Sequence, residues 1–287
     1  MGRQGAQARA PEALRAAGLA DALASRARMT PDVVVPEPSS APRAGSGFLN
    51  EHALLRMTDA LHTRVRSALA AGRAPLVYGA DCSVLLAAIP ALRTHVGEAG
   101  LVFVDGHEDA TPMDASPNGE AANMEIALLP GLTGRKAPAL LRSRLPALRP
   151  EAIAMLGPRD EAHRRTLNVP TLSDRVLLRS PEDLRDDPAA VGRTATARVA
   201  SQAPDWWLHV DFHVLARTEF SACGAPGEIP LTGGLTWSQL TQLVSSALDT
   251  GGCRGWSISV YNPDLDPDHG AGRRIVQFVN QVASNWR

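Results

Sequence analysis

Short apolar runs punctuate the chain, and stretches with three- and four-residue apolar spacing separate them. Leu76-Val77-Tyr78, Leu101 to Asp105, Ile153 to Leu156, Val176 to Leu178, Trp206 to Asp211 and Trp256 to Val260 are too short for core helices. Their apolar character without polar alternation predicts strands buried on both faces. Helical periodicity runs from Pro11 to about Arg28, with Leu14, Leu19 and Leu23 on one face and a proline near the first turn. It returns behind Asn50, a capping residue, through roughly Ala71, and again from Ser83, near Glu120 to Leu129, Pro181 to Ala200, Trp237 to Asp249 and Ala271 to Ser284. A short strand over Asp32 to Val35 and a Pro-, Ser- and Gly-rich loop over residues 36–48 complete the first third. Strands alternating with helices predict an α/β chain, a single three-layer α/β/α domain over residues 1–287 with a mainly parallel sheet. No internal repeat or domain linker interrupts it.

Ligands in such folds bind beyond the carboxyl ends of the strands, and ligand-type residues collect there. Asp105-Gly106-His107-Glu108-Asp109 follows the run Leu101 to Val104, and Asp211 and His213 follow Trp206 to Val210. Alternate side chains of an extended segment share a face, so this i, i+2 spacing is expected to aim carboxylates and imidazoles at one cleft. Cys82, after the Leu76 run, joins them. Taken singly, Asp105 would read as a loop cap and Cys82 as a small buried hydrophobe; the ordered set favours a metal site.

With 29 Lys+Arg against 30 Asp+Glu, the formal charge of −1 provides no field for nucleic acid or an anionic membrane, which leaves a small molecule as the expected partner. Cys82, Cys223 and Cys253 form neither a disulfide framework nor a C-x-x-C pair, in keeping with a reducing, cytoplasmic setting. No apolar stretch approaches the roughly 18 to 20 residues that span a bilayer. The remaining histidines, His209 among them, read as structural or surface residues. Trp206-Trp207 reads as strand packing, and Arg159-Asp160 as a structural salt link.

In this order, Gly79-Ala80-Asp81-Cys82-Ser83, Asp105-Gly106-His107-Glu108-Asp109 and His209-Val210-Asp211-Phe212-His213 resemble the G-G-D-H-S, D-A-H-x-D and S-x-D-x-D signatures of the ureohydrolase superfamily of arginases, agmatinases and formiminoglutamases. Gly119-Glu120-Ala121-Ala122-Asn123-Met124 and Val260-Tyr261-Asn262-Pro263-Asp264-Leu265-Asp266-Pro267-Asp268 resemble a divergent bacterial branch of that family with cysteine at the first ligand position. The resemblance implies an arginase-like fold, a homo-oligomer and one or two divalent ions. One ion would take Cys82, Asp105, Asp109 and Asp211, the other Asp105, His107, Asp211 and His213. Asp109 would orient a water nucleophile, and Asn118, Glu120 and Val260 would stand at the substrate, Glu120 in a catalytic position also. The family resemblance points to Mn²⁺, while thiolate at Cys82 and imidazole at His213 admit Fe, Zn or Co.

Departures from the motifs bear on substrate. Val260 stands where arginases grip the guanidinium with a glutamate, Ala122 where they carry a histidine, and Ala216-Arg217 where an acidic pair is usual. The expected activity is therefore hydrolysis of a non-peptide C–N bond in a linear amidine or guanidino compound other than plain L-arginine, with N-hydroxyarginine a candidate. The alternatives are a single-metal amide deacylase using Asp105, His107 and Asp211, or an inactive relative. Glu120 also admits a plain helix-capping role.

Overall fold

The computed structural model describes residues 6–23, 26–36, 45–224 and 231–286. Strands β1 (Leu76–Tyr78), β2 (Gly100–Val104), β3 (Ile153–Leu156), β4 (Leu177–Arg179), β5 (Trp206–Asp211) and β6 (Cys253–Ser259) form one sheet in the order β1-β6-β5-β2-β3-β4, every pair parallel. The chain builds outward from β2 through β3 to β4, then returns to lay β5 along the other edge of β2. The direction of winding thus reverses beside β2, where α/β sheets open a crevice at their carboxyl ends.

Pleating divides the strand residues between two cores. Val102, Val104, Trp206, Leu208, Val210 and Ile258 pack beneath the helices Pro188–Ala200, Trp237–Asp249 and Gly270–Ala283. Leu101, Phe103, Ile153, Met155 and Trp207 pack on the opposite face beneath Glu51–Ala70 and Leu85–Val96. This is the three-layer α/β/α arrangement read from the sequence, and both Trp206 and Trp207 are core residues. Among the described residues no helix is long and apolar enough to cross a membrane.

The structure corrects several boundaries. Asp32 to Val35 is not a strand: Val34 is 87% exposed, and Arg15 grips Asp32 through two bonds of 2.7 Å. A short run of valines does not make a strand unless it pairs with one. The helix expected from Pro11 is split into Ala10–Ala16 and Leu19–Leu23 at Gly18, whose φ of +92° only glycine adopts readily. The stretch from Pro181 breaks before Pro188, where Asp187 caps a new helix through Ala190 N. Asn50 precedes its helix in a left-handed conformation, without the expected side-chain cap. The helix near Glu120 shrinks to a 3-10 turn over Ala121–Asn123 and the short helix Glu125–Leu128. The loop over 36–48 lies largely outside the described residues.

Candidate metal centre

Two loops at the crevice are built alike. After β2, Asp105 Oδ1 accepts a hydrogen bond from the His107 amide at 2.9 Å; after β5, Asp211 Oδ1 accepts one from the His213 amide at 2.6 Å. Such Asp-to-backbone bonds fold the chain back on itself at once. The imidazoles therefore gather through tight turns, and the extended geometry expected from the i, i+2 spacing is absent beyond the strand ends; Asp109 reaches the group from a left-handed φ of +44°. Val104 pairs with Val210 and Asp211 with Ser259, so the two loops rise side by side with Ser259 next to them. Cys82 enters from the 3-10 turn Cys82–Val84 that follows β1.

All the expected ligands meet. Cys82 Sγ lies 2.9 Å from Asp211 Oδ2 and 3.7 Å from Asp105 Oδ2. His107 Nδ1 is 3.4 Å from Asp105 Oδ1 and His213 Nδ1 is 3.2 Å from Asp211 Oδ1, with the two rings perpendicular and 4.9 Å apart. Each aspartate thus turns one oxygen to the thiol and the other to an imidazole. Donor atoms of Cys82, Asp105 and Asp109 lie within 4.8 Å of one another, as do those of Asp105, His107 and His213, and those of Cys82, His209 and Asp211. His209 is the residue that sequence reasoning put elsewhere. It is fully buried in β5, two residues before Asp211 and on the same strand face.

The donor set fits a cation. Burial, then the charge of Asp211, raises the Asp105 pKa; burial, then Glu125, raises that of Asp109 well above the carboxylate range. Glu125 is itself pushed well up by burial, and its charge in turn raises Asp109. Burial likewise lifts the Cys82 thiol. Asp211 behaves oppositely: against the effect of burial, His213 and the bonds around it hold it well below the usual range. Burial lowers His209 to about 4, so its ring is neutral. Buried acids that keep protons for want of a counter-charge are groups a divalent ion can deprotonate and bind, and the mixture of carboxylate, imidazole and thiol matches ions from Mn²⁺ to Zn²⁺. Glu125 escaped the sequence reading because nothing in its local pattern marks it; its partner Asp109 is distant in sequence.

A polar frame holds the two loops. Arg159 does not make the expected salt link: its guanidinium donates to the carbonyls of His213, Leu215 and Val214 at 2.7, 3.0 and 3.3 Å, while its amide donates to Gly106 O at 2.8 Å. The salt link belongs to Asp160, which pairs with Arg164 at 3.1 Å, and Arg164 reaches Glu108 at 2.8 Å. Gly106 is required by space, since a Cβ there would lie 2.5 Å from His213 O and 2.7 Å from the Arg159 guanidinium.

The residues expected at the substrate form separate groups. Asn118 donates to Glu120 Oε2 at 2.8 Å and Asn123 does so at 3.4 Å, so Glu120 occupies a cap position without capping. Val260 follows β6 with φ +62°, a conformation a β-branched residue adopts only under strain, and its side chain is buried in the core. Arg217 is exposed and donates to the Cys223 carbonyl at 3.0 Å.

A model of the Arginase family matches residues 1–283. The chain belongs to the arginase family. Among curated proteins, the arginase of Bacillus subtilis (strain 168) is 22% identical over 238 residues, 81% of this chain and 76% of that protein. The arginase of Staphylococcus aureus (strain MRSA252) is 29% identical over 115 residues, 40% of this chain and a little over a third, 37%, of that protein's length. Among solved structures, the arginase of Bacillus caldovelox superposes with a TM-score of 0.83 at 20% identity, covering 95% of this chain and 90% of that one. The formimidoylglutamase of Bacillus subtilis gives 0.68 at 16% identity, covering 96% and 80%. The arginase-like fold expected from the motifs is thereby borne out.

Proposed function

We propose that this arginase-family chain is a metal-dependent hydrolase of a C–N bond in a small guanidino or amidino compound other than L-arginine. The observation that carries the reading is the divided allegiance of Asp105 and Asp211, each with one oxygen toward Cys82 and one toward an imidazole. That arrangement suits two carboxylates that bridge two ions. Cys82, Asp105, Asp109 and Asp211 would hold one, and Asp105, His107, Asp211 and His213 the other. When bound, such a pair supplies Lewis acidity and lowers the pKa of water toward about 7.

The chain's own groups supply the rest. Asp109, backed by Glu125, orients the attacking water at its carboxylate, and the pair gives a proton a place to rest when the amine departs. Glu120 is steadied by two amides and offers a carboxylate to a basic or neutral substrate end. Val260 leaves the far end of β6 without the carboxylate that would pair a guanidinium, and an unpaired buried cation is costly.

Elemental analysis after loading with Mn²⁺, Fe²⁺, Zn²⁺ or Co²⁺, followed by a screen of guanidino and amidino compounds for urea or amine release, tests the reading. Two ions per chain and turnover on a compound other than arginine are expected. A single ion with amide-cleaving activity would favour a deacylase. No ion under any loading, or arginine hydrolysis at about 1 s⁻¹ or faster, would refute the proposal.

A further inference from the structure

The buried floor of the site carries a donor that neither proposed ion uses. His209, Cys82 and Asp211 are 0%, 2% and 1% exposed, and one ligand atom from each lies within 4.8 Å of the others. The imidazole is fixed as ligating imidazoles are. Its plane stacks on Phe103 with centroids 5.3 Å apart at 9°, and Nδ1 lies 2.7 Å from Ser257 Oγ, which also accepts the Trp207 indole N–H at 2.9 Å. A histidine that binds metal through one nitrogen characteristically donates the other N–H to such an outer partner.

Nε2, by contrast, is weakly engaged. Its contact among the described residues is Ser259 Oγ at 3.3 Å, long for such a bond, and the same hydroxyl donates to Asp211 Oδ2 at 3.0 Å and lies 3.4 Å from Cys82 Sγ. The nitrogen, the sulfur and the carboxylate oxygen thus crowd one hydroxyl. The sheet enforces this: on β6, Ser257 and Ser259 stand in register with His209 and Asp211 on β5. The serine of the resembled S-x-D-x-D motif could not extend a nitrogen to this place.

We propose that His209 is a metal ligand and that Cys82, His209 and Asp211 together hold one divalent ion on the floor of the site. The proposal rests on the metal-dependent reading above and changes the first ion's donors from sulfur and oxygen to sulfur, nitrogen and oxygen. Binding releases the Cys82 proton to solvent, leaving a thiolate beside the Asp211 carboxylate, with His209 neutral and its proton on Nδ1. A buried set containing thiolate and imidazole selects Zn²⁺, Co²⁺ or Fe²⁺ over Mn²⁺.

The test separates His209 from the other imidazoles. His107 and His213 are partly exposed, so His107→Ala/His213→Ala removes both imidazoles of the other proposed ion without opening a hole in the core. X-ray absorption of this variant with one equivalent of Zn²⁺ should show sulfur at about 2.3 Å and one imidazole nitrogen at about 2.0–2.1 Å on the same ion. Adding His209→Asn should abolish the imidazole scattering and weaken zinc by more than about 100-fold, while adding Ser259→Ala, which cuts only the path through the hydroxyl, should weaken it by about 10-fold or less. Sulfur without imidazole, zinc without sulfur, or equal losses in the two added variants would overturn the proposal and leave the hydrolase reading standing. Absence of any bound divalent ion from the wild-type protein would overturn both.

Discussion

Arg159→Met removes the clamp that ties the β3 loop to the His213 loop, and its cost can be worked from the contacts. Three carbonyls lose bonds of 2.7, 3.0 and 3.3 Å to a cationic donor. Bonds to charged groups contribute about 1.5–3 kcal/mol each; with the longest discounted, the loss is about 4–5 kcal/mol. Against this, Arg159 Nε is buried and has no hydrogen-bond partner among the described residues, and removing it returns about 1 kcal/mol. The net destabilisation is about 3–4 kcal/mol, a large share of the roughly 5–15 kcal/mol that holds a typical domain folded. Urea unfolding of the metal-free protein followed by tryptophan fluorescence measures it, and thermal scans should show a fall of roughly 6–16 °C. Because the released carbonyl segment carries His213, divalent-ion affinity should fall also. A loss below about 1 kcal/mol with unchanged metal affinity would refute the clamp argument.

Metal-free protein should lose stability as pH rises beyond the ordinary carboxylate range. The folded pKa values of Asp105, Asp109 and Glu125 lie above their unfolded ones, so their contribution is full at low pH and drains away as pH climbs through the folded values. Glu125→Gln should flatten that slope; an equally steep fall in the variant's chemical-denaturation midpoints would count against Glu125 as a contributor. Cys82→His should shift metal preference toward Mn²⁺ in competition dialysis, and an unchanged Zn²⁺-to-Mn²⁺ ratio would exclude Cys82 as a ligand. Glu120→Gln should raise KM for the identified substrate about 10-fold or more, in keeping with a lost charged hydrogen bond, with metal content unaltered; loss of metal instead would relocate Glu120 to the centre itself.

The sheet is legible in the sequence because its strands are apolar on both faces and helices of clear periodicity lie between them. Asp32 to Val35 shows the limit of that signal, since its valines are strand-like but Val33 and Val35 rest on the core from an unpaired segment while Arg15 holds Asp32. The proposed ligands Asp105, His107, Asp211 and His213 are legible because they are close in sequence to the strands that deliver them. His209 and Glu125 are not. One needs the register of Ser257 and Ser259 on a neighbouring strand to acquire a meaning, the other the fold that brings Asp109 to it. Arg159 is misread for a related reason: its partners are backbone carbonyls of a remote loop, which no residue type announces.

Val104 faces Val210 across neighbouring parallel strands, and the residues that follow them are Asp105 and Asp211. Parallel strands keep a nearly invariant separation of about 4.8 Å because hydrogen bonds hold them there. The sheet thereby acts as a ruler for the proposed centre, fixing the spacing of Asp105 and Asp211 by main-chain geometry that side-chain substitution does not touch. Exchanges such as cysteine at 82 or histidine at 213 can then vary the chemistry offered at each end while the gap between the anchor points stays constant.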